Sequence, residues 1–139
     1  MGTMLNPYLN FRGNAREAME FYREVFGGKL NVSTFADFGA STDPSEARWV
    51  MHSDLEGPDG IRFMAADVPH HMEFDPGNNF SMSLSGENEA ELRGYFEKLS
   101  DGGSVLMPLE KAAWGDTFGM CMDKFGVRWL VNVAAPRNE

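Results

Sequence analysis

The chain of 139 residues has very little cysteine, and Cys121 is its only one. A single cysteine excludes a disulfide within the chain, so we expect a reducing compartment, the cytoplasm. Basic residues are also scarce, since 12 lysines and arginines stand against 21 aspartates and glutamates, giving a net charge of −9. An acidic surface repels phosphate backbones, which argues against a nucleic-acid-binding protein.

Long hydrophobic runs are absent as well. No stretch approaches the roughly 18 apolar residues that a membrane-spanning helix needs, so we expect no membrane partner. No glycine-rich nucleotide loop follows a strand pattern, and no G-x-S-x-G elbow is present. These absences argue against a bound methyl donor and against a serine hydrolase.

What the chain does have is one pattern that occurs twice. N-x-x-E begins each copy, at Asn14–Glu17 and at Asn88–Glu91, and this spacing is typical of a capping box at a helix N-terminus. Each copy ends at a glycine pair, Gly27-Gly28 or Gly102-Gly103, which suits a helix C-terminus. Between them lie apolar stripes at helical spacing: Ala18, Phe21, Tyr22 and Val25 in the first copy, and Leu92, Tyr95, Phe96 and Leu99 in the second.

Strand patterns surround both predicted helices, which span about 15–26 and 89–99. The predicted strands are about 5–12, 29–37, 47–55 and 61–67 in the first half, and 80–85, 104–109, 117–122 and 127–133 in the second. The stretches 38–46 and 69–78 are predicted loops, because they are rich in turn-forming residues.

Each half therefore follows the order β-α-β-β-β, and the predicted fold class is α+β. One helix covers only one face of a sheet, and two such halves can form a curved mixed sheet around a cleft. Neither half alone buries enough surface to be stable. We therefore expect a single domain over residues 4–135, made of two βαβββ modules at about 4–68 and 78–135.

Several segments, in order along nearly the whole chain, carry a family resemblance: Pro7–Phe11, Glu17–Tyr22, Val25–Gly28, Met51-His52, Ala66–Pro69, Gly102-Gly103, Met107–Leu109, Trp114–Asp116, Phe118-Gly119 and Asp123–Trp129. Together they resemble the vicinal oxygen chelate superfamily, which includes glyoxalase I, bleomycin-resistance proteins and extradiol dioxygenases. The sequence is most similar to the PhnB-like group, also labelled 3-demethylubiquinone 3-methyltransferase-like. The resemblance implies the glyoxalase/bleomycin resistance fold of paired βαβββ modules, and a homodimer.

The resemblance also implies where a metal would bind. Metal-dependent members hold a divalent ion with His and Glu side chains from equivalent strands of the two modules, and the ion acts as a Lewis acid. The matching positions here are Asn6–Tyr8, Asn79–Ser81 and Trp129–Val131, none of which offers a good ligand. We therefore predict no metal and no cofactor there, and leave enzymatic activity open.

His52 is the strongest candidate for a ligand-binding side chain. In a strand with period two, Trp49, Met51 and Leu55 share one face, which we assign to the helix-packed side. Val50, His52 and Asp54 then share the other face. We predict that His52 faces the cleft, with Tyr8, Asn10 or Trp114 nearby, because an imidazole there can donate or accept near pH 7. The alternative is a strand histidine that bonds a neighbour or faces water.

Other candidates have equally open alternatives. Asp67, at the end of a predicted strand, can orient His52 or simply form the turn before Pro69. Asp67, His70, His71 and Glu73 form a local set of possible metal ligands, for which we expect adventitious binding only.

Aromatic and sulfur-containing side chains complete the candidate site. Trp114, in a glycine-flanked loop, and Met120, on a predicted strand, can line an apolar cavity, although core packing explains methionines equally well. Trp129 belongs instead with the helix-covered core, and we expect Cys121 to be buried and unreactive.

Three functions remain open at this point. The leading hypothesis is the binding of a small, partly apolar molecule by cleft residues: Tyr8, Asn10, His52, Asp67, Trp114 and Met120. The second is a metal-dependent enzyme of lyase, isomerase or dioxygenase type with a non-standard metal site around His52. The third is a structural or regulatory dimer without a ligand.

Overall fold

The computed structural model describes residues 2–40 and 43–136, and the chain divides into two compact units, residues 1–77 and 78–139. Each unit holds one four-stranded mixed sheet and one long helix in the order β-α-β-β-β. The predicted α+β class and the duplicated order are therefore confirmed. That both units form one domain over residues 4–135 stays a prediction.

The first unit is built on the strand order β1-β4-β3-β2, in which β1 runs parallel to β4 and the other neighbours are antiparallel. Its elements are β1 (Tyr8–Phe11), α1 (Ala15–Phe26), β2 (Lys29–Thr34), α2 (Phe35–Phe38), a 3₁₀ turn (Pro44–Glu46), β3 (Val50–Glu56) and β4 (Arg62–Asp67). Helix α1 buries one face against the sheet, and the rings of Tyr22 and Phe26 meet Phe63 edge-on at centroid distances of 5.4 and 6.3 Å.

The second unit repeats this plan with the strand order β5-β8-β7-β6 and β5 parallel to β8. Its elements are β5 (Met82–Gly86), α3 (Glu89–Ser100), β6 (Ser104–Lys111), β7 (Thr117–Met122) and β8 (Arg128–Val133). Helix α3 packs against this sheet with Leu92, Phe96 and Leu99 buried. Trp129 is 1% exposed, so its predicted place in the core is confirmed.

The N-terminus of α1 differs from the prediction. The side chain of Asn14 makes no capping hydrogen bond. Instead, Oδ1 of Asp67 accepts from the backbone N–H groups of Gly13 at 2.7 Å and Ala15 at 3.0 Å. Asn88 does cap α3, since its side chain accepts from the Glu91 N–H at 3.1 Å. A carboxylate on the parallel strand β4 thus replaces the local cap in the first unit.

The predicted strand 29–37 ends early, at Thr34. Thr34 and Asp37 form a reciprocal capping box, with N–H to side-chain oxygen distances of 3.2 and 2.8 Å, and this box begins the short helix α2. The predicted loop 38–46 likewise contains helical structure, because the 3₁₀ turn starts after Asp43, whose carboxylate accepts from the Ser45 N–H. No helix in the described part of the chain is long and apolar enough to span a bilayer.

Strand β3 changes phase at Met51. Ser33 of β2 pairs with His52 and the next residue, Thr34, pairs with Val50, so Met51 is the extra residue of a β-bulge. Val50 is consequently buried, and Met51 is 38% exposed, both contrary to the predicted faces. Beyond the bulge the prediction holds, since Leu55 is buried and His52 is exposed.

Candidate functional site

We use the term helix-free face for the side of each sheet opposite its long helix. In the first unit this face carries side chains that are not part of the core under α1. They include Tyr8 and Asn10 on β1, His52 and Asp54 on β3, and Arg62 and Met64 on β4. In β1, Leu9 and Phe11 point the other way and are buried, so the alternation fixes which side chains are available.

Tyr8 and His52 lie side by side on this face. The Tyr8 hydroxyl is 3.5 Å from Nδ1 of His52, the outer limit of a hydrogen bond, and the ring centroids are 6.0 Å apart. Partial burial raises the pKa of Tyr8, so the phenol stays protonated at neutral pH and can donate. The pair offers a ligand one hydroxyl and one imidazole on a rigid strand framework.

Charged groups border this pair. Arg62 contacts Asp54 at 3.3 Å and Glu56 at 3.7 Å, and its own side chain is 45% exposed. Exposed ion pairs of this kind contribute little to stability. Asn10 follows Tyr8 by two residues and is exposed on the same face. The helix-free face of the first unit is therefore polar, with the Tyr8 ring and Met64 as apolar surface.

Asp67 does not belong to this face. Besides its bonds to Gly13 and Ala15, its other oxygen Oδ2 accepts from the Val50 N–H at 2.9 Å, and the residue is 4% exposed. The carboxylate thus joins the start of α1 to the start of β3. Among the described residues its hydrogen bonds go to backbone donors and not to His52, so we correct the ligand-binding hypothesis for Asp67 to a structural function.

The second unit presents a different helix-free face. Trp114, in the turn between β6 and β7, is 64% exposed and its ring packs on Phe118 at a centroid distance of 5.6 Å. Met120, Met122 and Leu130 are half-buried on the same side of β7 and β8. Aromatic and thioether side chains adapt to apolar ligands of varied shape. The predicted cavity-lining function of Trp114 and Met120 stays a prediction.

Asp116 lies at the edge of this face and is held as an anion. Its Oδ2 accepts from the side-chain amide of Asn132 at 3.0 Å, and its Oδ1 accepts from the Ala135 N–H at 2.8 Å. These two bonds hold the pKa of the Asp116 carboxyl below its usual range. A fixed negative charge therefore accompanies the aromatic surface of Trp114 and Phe118.

Cys121 lies on the opposite, helix-covered side of β7 and is fully buried. Burial, assisted by the nearby Asp123 carboxylate, raises the pKa of its thiol to about 11. Because the thiolate is the nucleophile, a thiol with this pKa is inert at neutral pH. The prediction of a buried, unreactive cysteine is consistent with this environment.

The family model of the glyoxalase/bleomycin resistance protein/dioxygenase superfamily matches residues 5–131. The chain belongs to this superfamily.

Protein YjdN from Escherichia coli (strain K12) is 27% identical over 140 residues, spanning 93% of this chain and 94% of YjdN. Protein PA1353 from Pseudomonas aeruginosa is 35% identical with a TM-score of 0.81, over 97% of this chain and 100% of that structure. The PhnB protein from Bacillus cereus is 31% identical with a TM-score of 0.73, over 95% and 100% of the two chains. The predicted fold and the PhnB-like resemblance are confirmed.

In this chain, the strand positions that hold a metal in metal-dependent superfamily members carry side chains that are poor metal ligands. The resemblance assigns a metal to the ranges Asn6–Tyr8, Asn79–Ser81 and Trp129–Val131, whose side chains are amides, a phenol, a hydroxyl, an indole and apolar groups. Trp129 is buried, and its Nε1–H donates to Asp123 at 2.8 Å. Imidazole, thiolate and carboxylate are the side chains that hold zinc, and those strand positions lack them.

Sequence reasoning missed the contacts of one histidine. The sequence groups His70 with Asp67, His71 and Glu73, whereas the structure places its ring beside Asp43 and Glu46. The D-x-x-E spacing of Asp43 and Glu46 was a signal that could have indicated this cluster, because residues three apart lie above one another in a 3₁₀ turn. The hydroxyl and backbone N–H of Ser45, followed by His70, lower the pKa of Asp43.

Proposed function

We propose that this superfamily member binds a small, partly apolar molecule on the helix-free face of its first unit, with a polar group of the ligand at Tyr8 and His52. The observation that carries the proposal is this exposed pair, which faces away from the core and is fixed by two strands. Polar groups held on a rigid framework lose little freedom on binding, so they contribute effectively to affinity.

The chemistry of the face suits such a ligand. The phenol of Tyr8 donates, the imidazole of His52 donates or accepts, and the amide of Asn10 can do both. The Tyr8 ring and the half-buried Met64 supply apolar surface beside these groups. A metal-dependent enzyme centred on His52 would need further ligands, whereas the group beside Nδ1 is the Tyr8 phenol.

Replacing His52 by alanine is the direct test of this function. A fragment library containing hydroxy acids, amides and aromatic alcohols is screened by thermal shift against the wild-type protein, and each hit is titrated by calorimetry. We expect His52→Ala to weaken binding of the hits about tenfold, because a ligand hydrogen bond worth roughly 1.5 kcal/mol is lost. The free energy of unfolding should hardly change, since His52 is exposed.

Met51→Ala is the matched control, because Met51 is the adjacent exposed residue of the bulge. Its fragment affinities should equal those of the wild type. Equal affinities in His52→Ala would remove His52 from the binding site. A loss of several kcal/mol of stability in His52→Ala would make the residue structural instead.

We also propose that the chain forms a homodimer through β6. This strand is an edge of its sheet, and its residues Val105, Leu106 and Met107 are 51%, 48% and 47% exposed. An edge with free backbone groups and exposed apolar side chains favours pairing with another chain. Sedimentation equilibrium should give twice the 15.5 kDa of one chain.

Val105→Lys should shift this equilibrium toward the monomer, because a lysine on the edge opposes pairing. Val105→Thr keeps a β-branched side chain and serves as the control. A wild-type mass near that of one chain would exclude the dimer, and a Val105→Lys dimer of unchanged affinity would exclude β6 as its interface.

We place the protein in the cytoplasm and expect small molecules, not nucleic acids, as its partners. The net charge of −9 argues against nucleic-acid partners, since it opposes binding to phosphate backbones. The single cysteine, buried and protonated, is compatible with a reducing compartment.

A further inference from the structure

Three metal-ligating side chains converge in the first unit, away from the strand positions that the superfamily uses. Nδ1 of His70 lies 3.2 Å from Oδ2 of Asp43 and 2.9 Å from Oε2 of Glu46. All three atoms lie within 4.8 Å of one another. Asp43 and Glu46 come from the 3₁₀ turn before β3, and His70 comes from the segment after β4.

Each of the three side chains is oriented by other contacts. Oδ1 of Asp43 accepts from the Ser45 N–H at 2.9 Å and from its hydroxyl at 2.7 Å, which leaves Oδ2 directed at His70. The Glu46 side chain is only 3% exposed, and it also accepts from the backbone N–H of His70. The Trp49 ring packs on the His70 ring at a centroid distance of 4.7 Å. Contacts of this kind fix the orientation of metal ligands in known sites.

We propose that Asp43, Glu46 and His70 bind one divalent transition-metal ion of the zinc class. One imidazole nitrogen and two carboxylate oxygens form a mixed donor set that suits such an ion better than calcium or magnesium, which prefer oxygen alone. Ligand atoms on a tetrahedral ion stand about 3.4 Å apart for bonds of about 2.1 Å. The two distances from Nδ1 of His70, 3.2 and 2.9 Å, are close to that value, and the two carboxylate oxygens lie within 4.8 Å of each other, so side-chain rotations can bring all three ligands onto one ion.

The site would keep an open coordination position. Three protein ligands leave room for water or for an oxygen of another molecule, as in sites that are not purely structural. The side chains of His70 and Asp43 are 51% and 43% exposed, so solvent reaches the site from one side, while the buried Glu46 closes the other. This inference is independent of the ligand proposed at Tyr8 and His52.

The test is calorimetric titration of the chelator-treated full chain with zinc chloride. We expect one ion per chain with a dissociation constant in the micromolar range or below. Asp43→Asn and His70→Ala should each raise that constant at least tenfold, because each removes one ligand. Asp43→Asn keeps a side-chain oxygen for Ser45, so it preserves the turn while removing the charge at the site.

His71→Ala and Glu73→Gln are the matched controls, since both residues are exposed neighbours of His70 outside the triad. Their zinc affinity should equal that of the wild type. Circular dichroism of the metal-free variants separates loss of binding from loss of fold. The proposal is overturned if the wild type takes up no zinc, takes up several ions weakly, keeps its affinity in both ligand variants, or loses it in His71→Ala.

Discussion

Replacing Asp67 by asparagine is expected to lower the free energy of unfolding by about 3 kcal/mol. The carboxylate is buried and accepts from three backbone N–H groups, those of Gly13, Ala15 and Val50, at 2.7 to 3.0 Å. An asparagine side chain must turn its NH₂ group toward at least one of these donors. The N-terminus of α1 or the start of β3 is then left with an unsatisfied buried N–H.

Asp59→Asn is the matched control for this charge removal. Asp59 is exposed and has φ of +55°, a conformation that asparagine adopts readily, so its stability should stay within about 0.5 kcal/mol of the wild type. Urea unfolding followed by circular dichroism measures both variants. If Asp67→Asn were as stable as Asp59→Asn, the carboxylate would not be the element that joins α1 to β3.

The repeated order of elements could be predicted because its signals are local. Helical periodicity between a predicted cap and a glycine pair located α1 and α3. Asp67 shows the limit of such signals. It lies 52 residues from Ala15, so nothing in the sequence around Asn14 indicates that a carboxylate from β4 takes over the cap.

The candidate site shows the same division between local and distant information. Strand phase placed His52 on the helix-free face correctly, but the bulge at Met51 reversed the predictions for Val50 and Met51. A single extra residue changes which side chains are buried, and periodicity alone does not reveal it. The contact between Glu46 and His70 spans 24 residues and needs the fold itself.

The second glycine of each pair allows a close backbone contact that local sequence signals do not reveal. The first glycine of each pair follows its helix with a positive φ, +78° at Gly27 and +80° at Gly102, although Gly27, with ψ of −170°, is not in the left-handed helical conformation. The second glycine, Gly28 or Gly103, lies against the end of a neighbouring strand. A Cβ on Gly28 would be 2.2 Å from the carbonyl oxygen of Glu56, and one on Gly103 would be 2.0 Å from that of Met122. The duplicated units thus share a close backbone approach as well as an order of elements.

Gly103→Ala is therefore expected to lower the free energy of unfolding by about 3 kcal/mol or more, because the added Cβ meets backbone that moves only with its strand. Gly28→Ala should cost at least as much, since φ of +99° adds strain for any residue with a Cβ.

Gly94→Ala provides the control within α3. Its Cβ would meet nothing within 4 Å, so the higher helix propensity of alanine should stabilise the protein by about 0.5–1 kcal/mol. Urea unfolding of the three variants should give two large losses and one gain. If Gly103→Ala were as stable as the wild type, the end of β7 would be able to shift without cost, and the glycine at this position would not be needed for the β6–β7 geometry of the second unit.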